Sequence, residues 1–446
     1  MTSKPKITFQ QINKLALPAL ISGIAEPLLS ITDTAIVGNV NVNPTEALAA
    51  VGIAGSFLSA LFWILAQTRS AISAIIAQYF GANRLDEIKT LPAQIIAINL
   101  VLSVSIYVIT LFFVEQIFKL YNAEGLILNY SVSYYKIRAI GLPFTLFVFS
   151  VFGIFRGLQN TFYPMVISIV GAVLNVVLDY ILVFGIEGYI PALHIEGAAY
   201  ASIIAQAVMA ILALILVLKK TPFKLRFQFP FNKEIKRLLL LSFNLFIRAF
   251  ALNIALYFAN SYATKYGDNY IAAQTIAFQI WLFFAFFIDG YSSVGNIISG
   301  RLLGEKDYKN LWILSLDLSK YASIVALTLA GLCFVFYRSI GSIFTDNIEV
   351  LNAFYAIFWI VLLMQPLNAI AFVFDGLFKG LAEAVSLRNT LLIATFFGFI
   401  PALLIGDYYK LKLYAIWIAF TVWMFFRMLI LVVLFRKKYL NVNSSQ

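Results

Sequence analysis

Asp33 and Asp179 are the residues of this chain best suited by type and placement to chemistry. Each is a carboxylate inside a long apolar run, where an ionisable group costs at least ~2.5 kcal/mol on insertion scales and therefore needs a reason to be there. Both lie toward the far end of their runs, at depths that agree to about one turn if the runs are helices rising ~1.5 Å per residue. Asn175 precedes Asp179 by one helical turn, so its amide shares that face and can hold the carboxylate. Glu26 lies two turns before Asp33 on nearly the same face, and Pro27 beside it marks a hinge where the helix can kink. Acids that share a dehydrated pocket take up protons more readily than acids in water, so this set suits reversible binding of a proton or small cation. The competing reading makes the same acids structural partners of Arg69, Lys136 or Arg138, which also lie in apolar runs.

The second half holds a different mixture. Asp289 and Asp375 accompany Arg248 and Arg427, with Asp317 and Lys320 on another run. Acids and bases in comparable number suggest mutual neutralisation within a bundle, so structural pairing is the expectation there.

The elements that must position these groups follow from composition. Of 446 residues 62% are hydrophobic and 12% charged, too apolar for a water-soluble chain, so lipid must be the solvent. Twelve runs can each cross a bilayer as helices: about 12–40, 47–80, 88–114, 126–155, 161–185, 196–218, 235–264, 270–303, 310–337, 348–379, 384–405 and 411–436. Turn-forming residues separate them, among them Asn41–Pro44, Gly81–Asn83, Gly185–Pro191 and Tyr266–Asp268.

The halves repeat. Leu48-Ala-Ala-Val-Gly-Ile-Ala returns as Ile271-Ala-Ala-Gln-Thr-Ile-Ala, Gly81 as Gly304, Pro143 as Pro366, and Phe155-Arg-Gly157-Leu as Phe378-Lys-Gly380-Leu. The offset is constant, since 271 − 48, 304 − 81, 366 − 143 and 380 − 157 all give 223. A duplicated bundle of six spans implies two lobes of the same membrane orientation, with a substrate path between them. The expected division is an N-terminal lobe over residues 1–218, a cytoplasmic linker over 219–237 and a C-terminal lobe over 238–446. Gly153, Gly157, Gly171, Gly185, Gly376 and Gly380 read as close-packing or bending positions.

Lys and Arg crowd one side: Lys4, Lys6 and Lys14, the linker's seven, Arg301, Lys306 and Lys309, and Arg436, Lys437 and Lys438. The other side keeps Lys119, Lys265, Arg338, Lys410 and Lys412. The positive-inside rule then puts both termini in the cytoplasm of a multi-pass inner-membrane protein. It also explains the net charge of +11 as topology and lipid-surface attraction, leaving no nucleic-acid partner. One cysteine (Cys333) excludes a disulfide framework, and one histidine (His194) excludes a histidine metal cluster. There is no P-loop to bind ATP. The polar start leading into a long run predicts no cleaved signal peptide.

The chain resembles the multidrug and toxic compound extrusion (MATE) transporters, particularly their DNA-damage-inducible (DinF) branch. The resemblance rests on Thr32-Asp33-Thr-Ala-Ile-Val-Gly38, Gly171-Ala-Val-Leu-Asn175-Val-Val-Leu-Asp179, Asp289-Gly-Tyr291, Phe374-Asp-Gly376 with Arg388-Asn389, and Trp417 to Arg427. It implies an all-α membrane protein of twelve transmembrane helices in two pseudo-symmetric six-helix bundles. It further implies that Asp33, Asn175 and Asp179 form a cation site coupled to export, with a hydroxyl from the sixth span nearby, for which Ser202 is the candidate. Na⁺ at Asp33, Asn175 and Asp179 would be the only metal involved. Where this branch often carries an acid after the Asp-Gly-aromatic motif, Tyr291 is followed by Ser292-Ser-Val-Gly295-Asn296.

These readings converge on a secondary active multidrug antiporter, not an enzyme, working without a cofactor as a monomer. It is expected to export amphipathic, cationic drugs or metabolites in exchange for H⁺ or Na⁺, in contact with membrane lipids. The alternative is a lipid or lipid-linked precursor flippase, for which basic residues should line the path. An intramembrane aspartyl protease would require a Gly-x-Gly-Asp context that neither Asp33 nor Asp179 has.

Overall fold

The computed structural model describes residues 7–40 and 43–440, with the side chains of 25–31, 34 and 44 excepted. In lipid a backbone amide has no water to bond, so an apolar chain that crosses it must close its hydrogen bonds within helices. Ten helices are long and apolar enough to do so. They are α2 (Thr45–Gly81), α3 (Leu85–Lys119), α4 (Gly125–Gly157), α5 (Phe162–Phe184), α6 (His194–Lys220), α7 (Glu234–Tyr266), α8 (Asp268–Gly304), α9 (Tyr308–Val335), α11 (Ala384–Tyr408) and α12 (Leu413–Leu440). α10 is a pair, Ile348–Leu363 and Gln365–Gly380, bent by 50°. Pro366, which has no N–H for the helical ladder, stands just after the break. α1 (Phe9–Val37) is a further apolar helix of 29 residues. Among the described residues, ten of the twelve expected spans are thus the helices α2–α9, α11 and α12, the tenth is the bent pair and the first falls on α1, with a short extra helix Tyr337–Phe344 after α9.

The 223-residue repeat is written into the backbone as well as the sequence. Asn83 (φ 55°) and Lys306 (φ 57°) are left-handed residues at equivalent helix ends, as are Gln159 (φ 62°) and Ala382 (φ 60°). Left-handed residues at these positions let the last helical carbonyls find donors: Asn83 N–H reaches Phe80 O at 3.1 Å and Lys306 N–H reaches Leu303 O at 3.1 Å.

The repeated glycines make equivalent crossings. A Cβ on Gly153 would stand 2.8 Å from the Arg69 carbonyl, and one on Gly376 would strike the Ser292 carbonyl. Gly157 abuts Ser73 and Ile76, as Gly380 abuts Asn296 and Ser299. Each partner lies 223 residues from its counterpart, so α4 crosses α2 as α10 crosses α8. A third crossing is reciprocal: a Cβ on Gly81 would strike the Arg301 carbonyl, and one on Gly304 the Gln78 carbonyl.

The chain forms two compact units. One comprises residues 1–20, 77–83 and 239–446; the other comprises 21–76 and 84–238. In the first, the start of α1 packs on the later helices: Gly290 lies against Ala16 and Leu20, and Tyr291 Oη donates to Asn13 Oδ1 at 3.1 Å. In the second, residues 221–233 form a non-helical segment between α6 and α7.

Candidate functional site

In the unit containing residues 21–76 and 84–238, four helices bring polar side chains to one buried place. α5 and α6 run antiparallel and approach closely because two glycines remove the intervening side chains. A Cβ on Gly171 would meet the Met209 side chain, and one on Gly197 would lie 2.5 Å from the Leu182 carbonyl. Between these contacts Asn175 faces Ser202, and its Nδ2 donates to Ser202 Oγ at 3.2 Å. Ser202 Oγ in turn donates to Asp33 Oδ2 at 3.0 Å, and Tyr134 Oη of α4 donates to the same oxygen at 3.1 Å. Asp179 lies one turn beyond Asn175 and within electrostatic reach of Asp33 and Arg138. All five side chains are essentially withdrawn from solvent, none more than 2% exposed.

The polarity of this cluster is lopsided. Donors reach only one oxygen of Asp33. Asp33 Oδ1, Asn175 Oδ1 and both carboxylate oxygens of Asp179 are buried with no hydrogen-bond donor. A buried acceptor without a partner costs about 1–3 kcal/mol, so four in one cluster favour the entry of a proton, a small cation or a water. Chemically the site can hold either, and it has no nucleophile–base pair with which to break a bond. Among the described residues no group of three or more His, Cys, Asp or Glu side chains is arranged to hold a metal ion.

Each sequence expectation has a placement. Asp33, Asn175, Asp179 and Ser202 come together. Asn175 does not hold Asp179 directly, as its helical spacing suggested; its amide is turned to Ser202. Glu26 and Pro27 fall within α1, but their side chains lie outside the described residues. Of the basic partners considered, Lys136 is exposed and Arg69 lies over the Phe149 ring at 5.7 Å. Arg138 is buried over the Phe62 ring at 5.7 Å, its Nη1 without a partner. Tyr134 was missed. Its only sequence signal is the four-residue spacing to Arg138, which puts both on one face of α4.

The other unit carries a second charged cluster. Asp375 Oδ2 accepts from Arg248 Nη2 and, at 3.1 Å, from Arg427 Nη2. Arg427 also packs its guanidinium over Trp423 (4.9 Å) and Phe372 (5.4 Å). The pairing expected among four residues therefore closes with three. Asp289 is exposed and makes no ion pair among the described residues, and Lys320 is exposed too. A span that is apolar all round gives no periodic sign of which face is buried, which is why these two were misplaced.

Comparison with known proteins adds the family. The MatE family model matches residues 18–181 and 245–404. DNA damage-inducible protein F of Escherichia coli (strain K12) is 26% identical over 96% of this chain and 92% of its own length. A Bacillus subtilis (strain 168) protein described as the probable multidrug resistance protein YoeA is 23% identical over 94% of this chain and 91% of its own. The crystal structure of MATE in the bent conformation covers 98% of this chain, with 96% of that structure matched, at a TM-score of 0.89 and 21% identity, which establishes a shared fold. With the family model matching most of its length in two blocks, one in each half, the chain belongs to the MatE family of multidrug and toxic compound extrusion proteins, and is a transporter rather than an enzyme.

Proposed function

We propose that the chain is a secondary antiporter of the inner membrane that exports amphipathic, cationic organic compounds in exchange for H⁺ or Na⁺, as a monomer with both termini in the cytoplasm. The observation that carries this reading is the buried pair Asp33 and Asp179, with four acceptor oxygens in its cluster lacking donors. A coupling ion that binds there satisfies those oxygens and cancels buried charge. Tyr134 and Ser202 orient Asp33 by donating to its Oδ2. Neutralisation removes the attraction for a cationic compound and lets α1 bend near Pro27, releasing the cargo outward; loss of the ion to the inside resets the site. The multidrug name of the Bacillus subtilis relative favours a drug-like cargo.

Dye efflux from energised vesicles, with pH and Na⁺ gradients imposed separately, tests the reading. The wild type should export a fluorescent cationic dye under one gradient. Asp33→Asn, which keeps shape and hydrogen bonding but not charge, should fold and lose that export, and Asp179→Asn should follow it. Normal export by Asp33→Asn under both gradients would sink the assignment.

A second reading is the flipping of a lipid or lipid-linked precursor with an anionic headgroup, which would have to draw on Arg248 and Arg427, two buried cations already closed on Asp375. Gradient-independent translocation of a fluorescent anionic lipid, with no dye efflux, would select it.

A further inference from the structure

The segment between α6 and α7 is pinned from below and greasy on top. Gln94 of α3, which is wholly buried, holds it along its length. Its Nε2 donates to the Gln228 carbonyl at 2.7 Å and the Pro230 carbonyl at 3.1 Å, while its Oε1 accepts from the Asn232 N–H at 2.8 Å. Asn232 Nδ2 donates to the Glu87 carbonyl at 2.9 Å, and Lys233 pairs with the Glu87 carboxylate at 3.2 Å. Phe223 anchors the other end, buried to 3%.

A loop held this firmly has the means to bury its large apolar side chains, yet it does the opposite. Phe227, Phe229 and Phe231 are 45%, 73% and 52% exposed. Their rings pack on one another, with centroids 5.1 Å (227–229), 5.3 Å (229–231) and 6.1 Å (227–231) apart, so the three form one apolar knob. In the same stretch of chain Lys219, Lys220, Lys224, Arg226 and Lys236 are all exposed, and no ion pair to a carboxylate is formed by them among the described residues. Glu234 is the one acid between Lys219 and Arg237, and it pairs with Arg237 at 3.2 Å.

We propose that this knob docks onto anionic lipid, its three rings seated at the boundary between headgroups and acyl chains and its cations on the headgroup phosphates. The segment joins the ends of two membrane-crossing helices, Lys220 of α6 and Glu234 of α7, so it lies at the bilayer surface. Aromatic rings favour that boundary, and long basic side chains reach from it to phosphate. Either attraction alone gives weak, reversible contact, whereas an apolar wedge and a basic patch together give stable attachment. An acidic protein would meet the cations but leave the rings in water, so lipid fits both halves of the surface.

The lone cysteine makes the test clean. In a Cys333→Ser background, Phe229→Cys is labelled with bimane in the full-length protein and reconstituted into nanodiscs of phosphatidylcholine with or without phosphatidylglycerol. Acyl-brominated lipid should quench the dye, and quenching should be about twofold stronger with the anionic lipid. Lys224→Gln with Arg226→Gln should abolish that difference while leaving the protein monodisperse. Inorganic phosphate added to neutral discs should not reproduce it. Emission typical of dye in water in both compositions overturns the proposal, as does equal quenching that the charge-neutral variant leaves unchanged.

Discussion

The two charged clusters teach by contrast. In one unit, one buried carboxylate meets only neutral donors and a second meets none, so four acceptor oxygens of the cluster are left over. In the other, two buried guanidiniums close on one carboxylate, which binds each of them. The first is electrostatically open and can exchange a partner; the second is locked. Yet both rest on the same scaffold, because Gly153 and Gly157 cross α2 as Gly376 and Gly380 cross α8. The residues 223 positions after Asp33, Asn175, Asp179 and Ser202 are Leu256, Gly398, Ala402 and Phe425. The glycine crossings recur between the units, while the buried charges do not.

The largest effect should come from breaking the locked cluster. Asp375→Ala takes the one ion-paired carboxylate from two buried guanidiniums and should destabilise by about 3–5 kcal/mol, read as a fall in thermal unfolding midpoint in detergent. Asp33→Ala removes an acid that no cation pairs with, so its loss of stability should be far smaller. Equal losses would erase the distinction between open and locked.

Next comes the shared scaffold. Gly153→Ala and Gly376→Ala each push a methyl group against a carbonyl of the crossing helix and should cost about 1–3 kcal/mol apiece. If only one of the pair is destabilised, the crossings are not equivalent.

A smaller effect should come from the donors of the open cluster. Tyr134→Phe and Ser202→Ala each take one hydrogen bond from Asp33, worth about 0.5–1.5 kcal/mol, so each should shift the ion concentration at half-maximal transport by up to roughly tenfold without unfolding the protein. The direction should match in both variants, since both donate to the same oxygen. Smallest of all, Asp289→Asn should change stability by no more than about 0.5 kcal/mol, because that side chain is exposed and holds no ion pair. A multi-kcal loss there would return it to the locked cluster.

Much of the architecture was legible in the chain. Apolar length gives the spans, turn residues give their ends, and the constant offset gives the crossings, because a glycine required by a close approach leaves its mark at a fixed position. The site was legible where a residue is improbable: an aspartate in hydrocarbon announces itself. Tyr134 did not, because a tyrosine among 23 in an aromatic-rich membrane chain carries no surprise. Lys136, Lys320 and Asp289 were misread for a related reason. On a helix apolar on every side, nothing periodic says whether a charge points inward or out.

The composition of the larger unit also bears on how the protein is made. Residues 239–440 share a packed body with residues 7–20 and 77–83, through contacts such as Gly290 on Ala16 and Gly304 on Gln78. A ribosome delivers those early segments long before their partners exist. They must wait in the membrane, partly unpacked, until α8 emerges, so packing of this unit cannot finish before the second half has been made. Residues 239–446 expressed alone should therefore insert but remain loosely packed and protease-sensitive, and co-expressing the N-terminal half should restore their resistance.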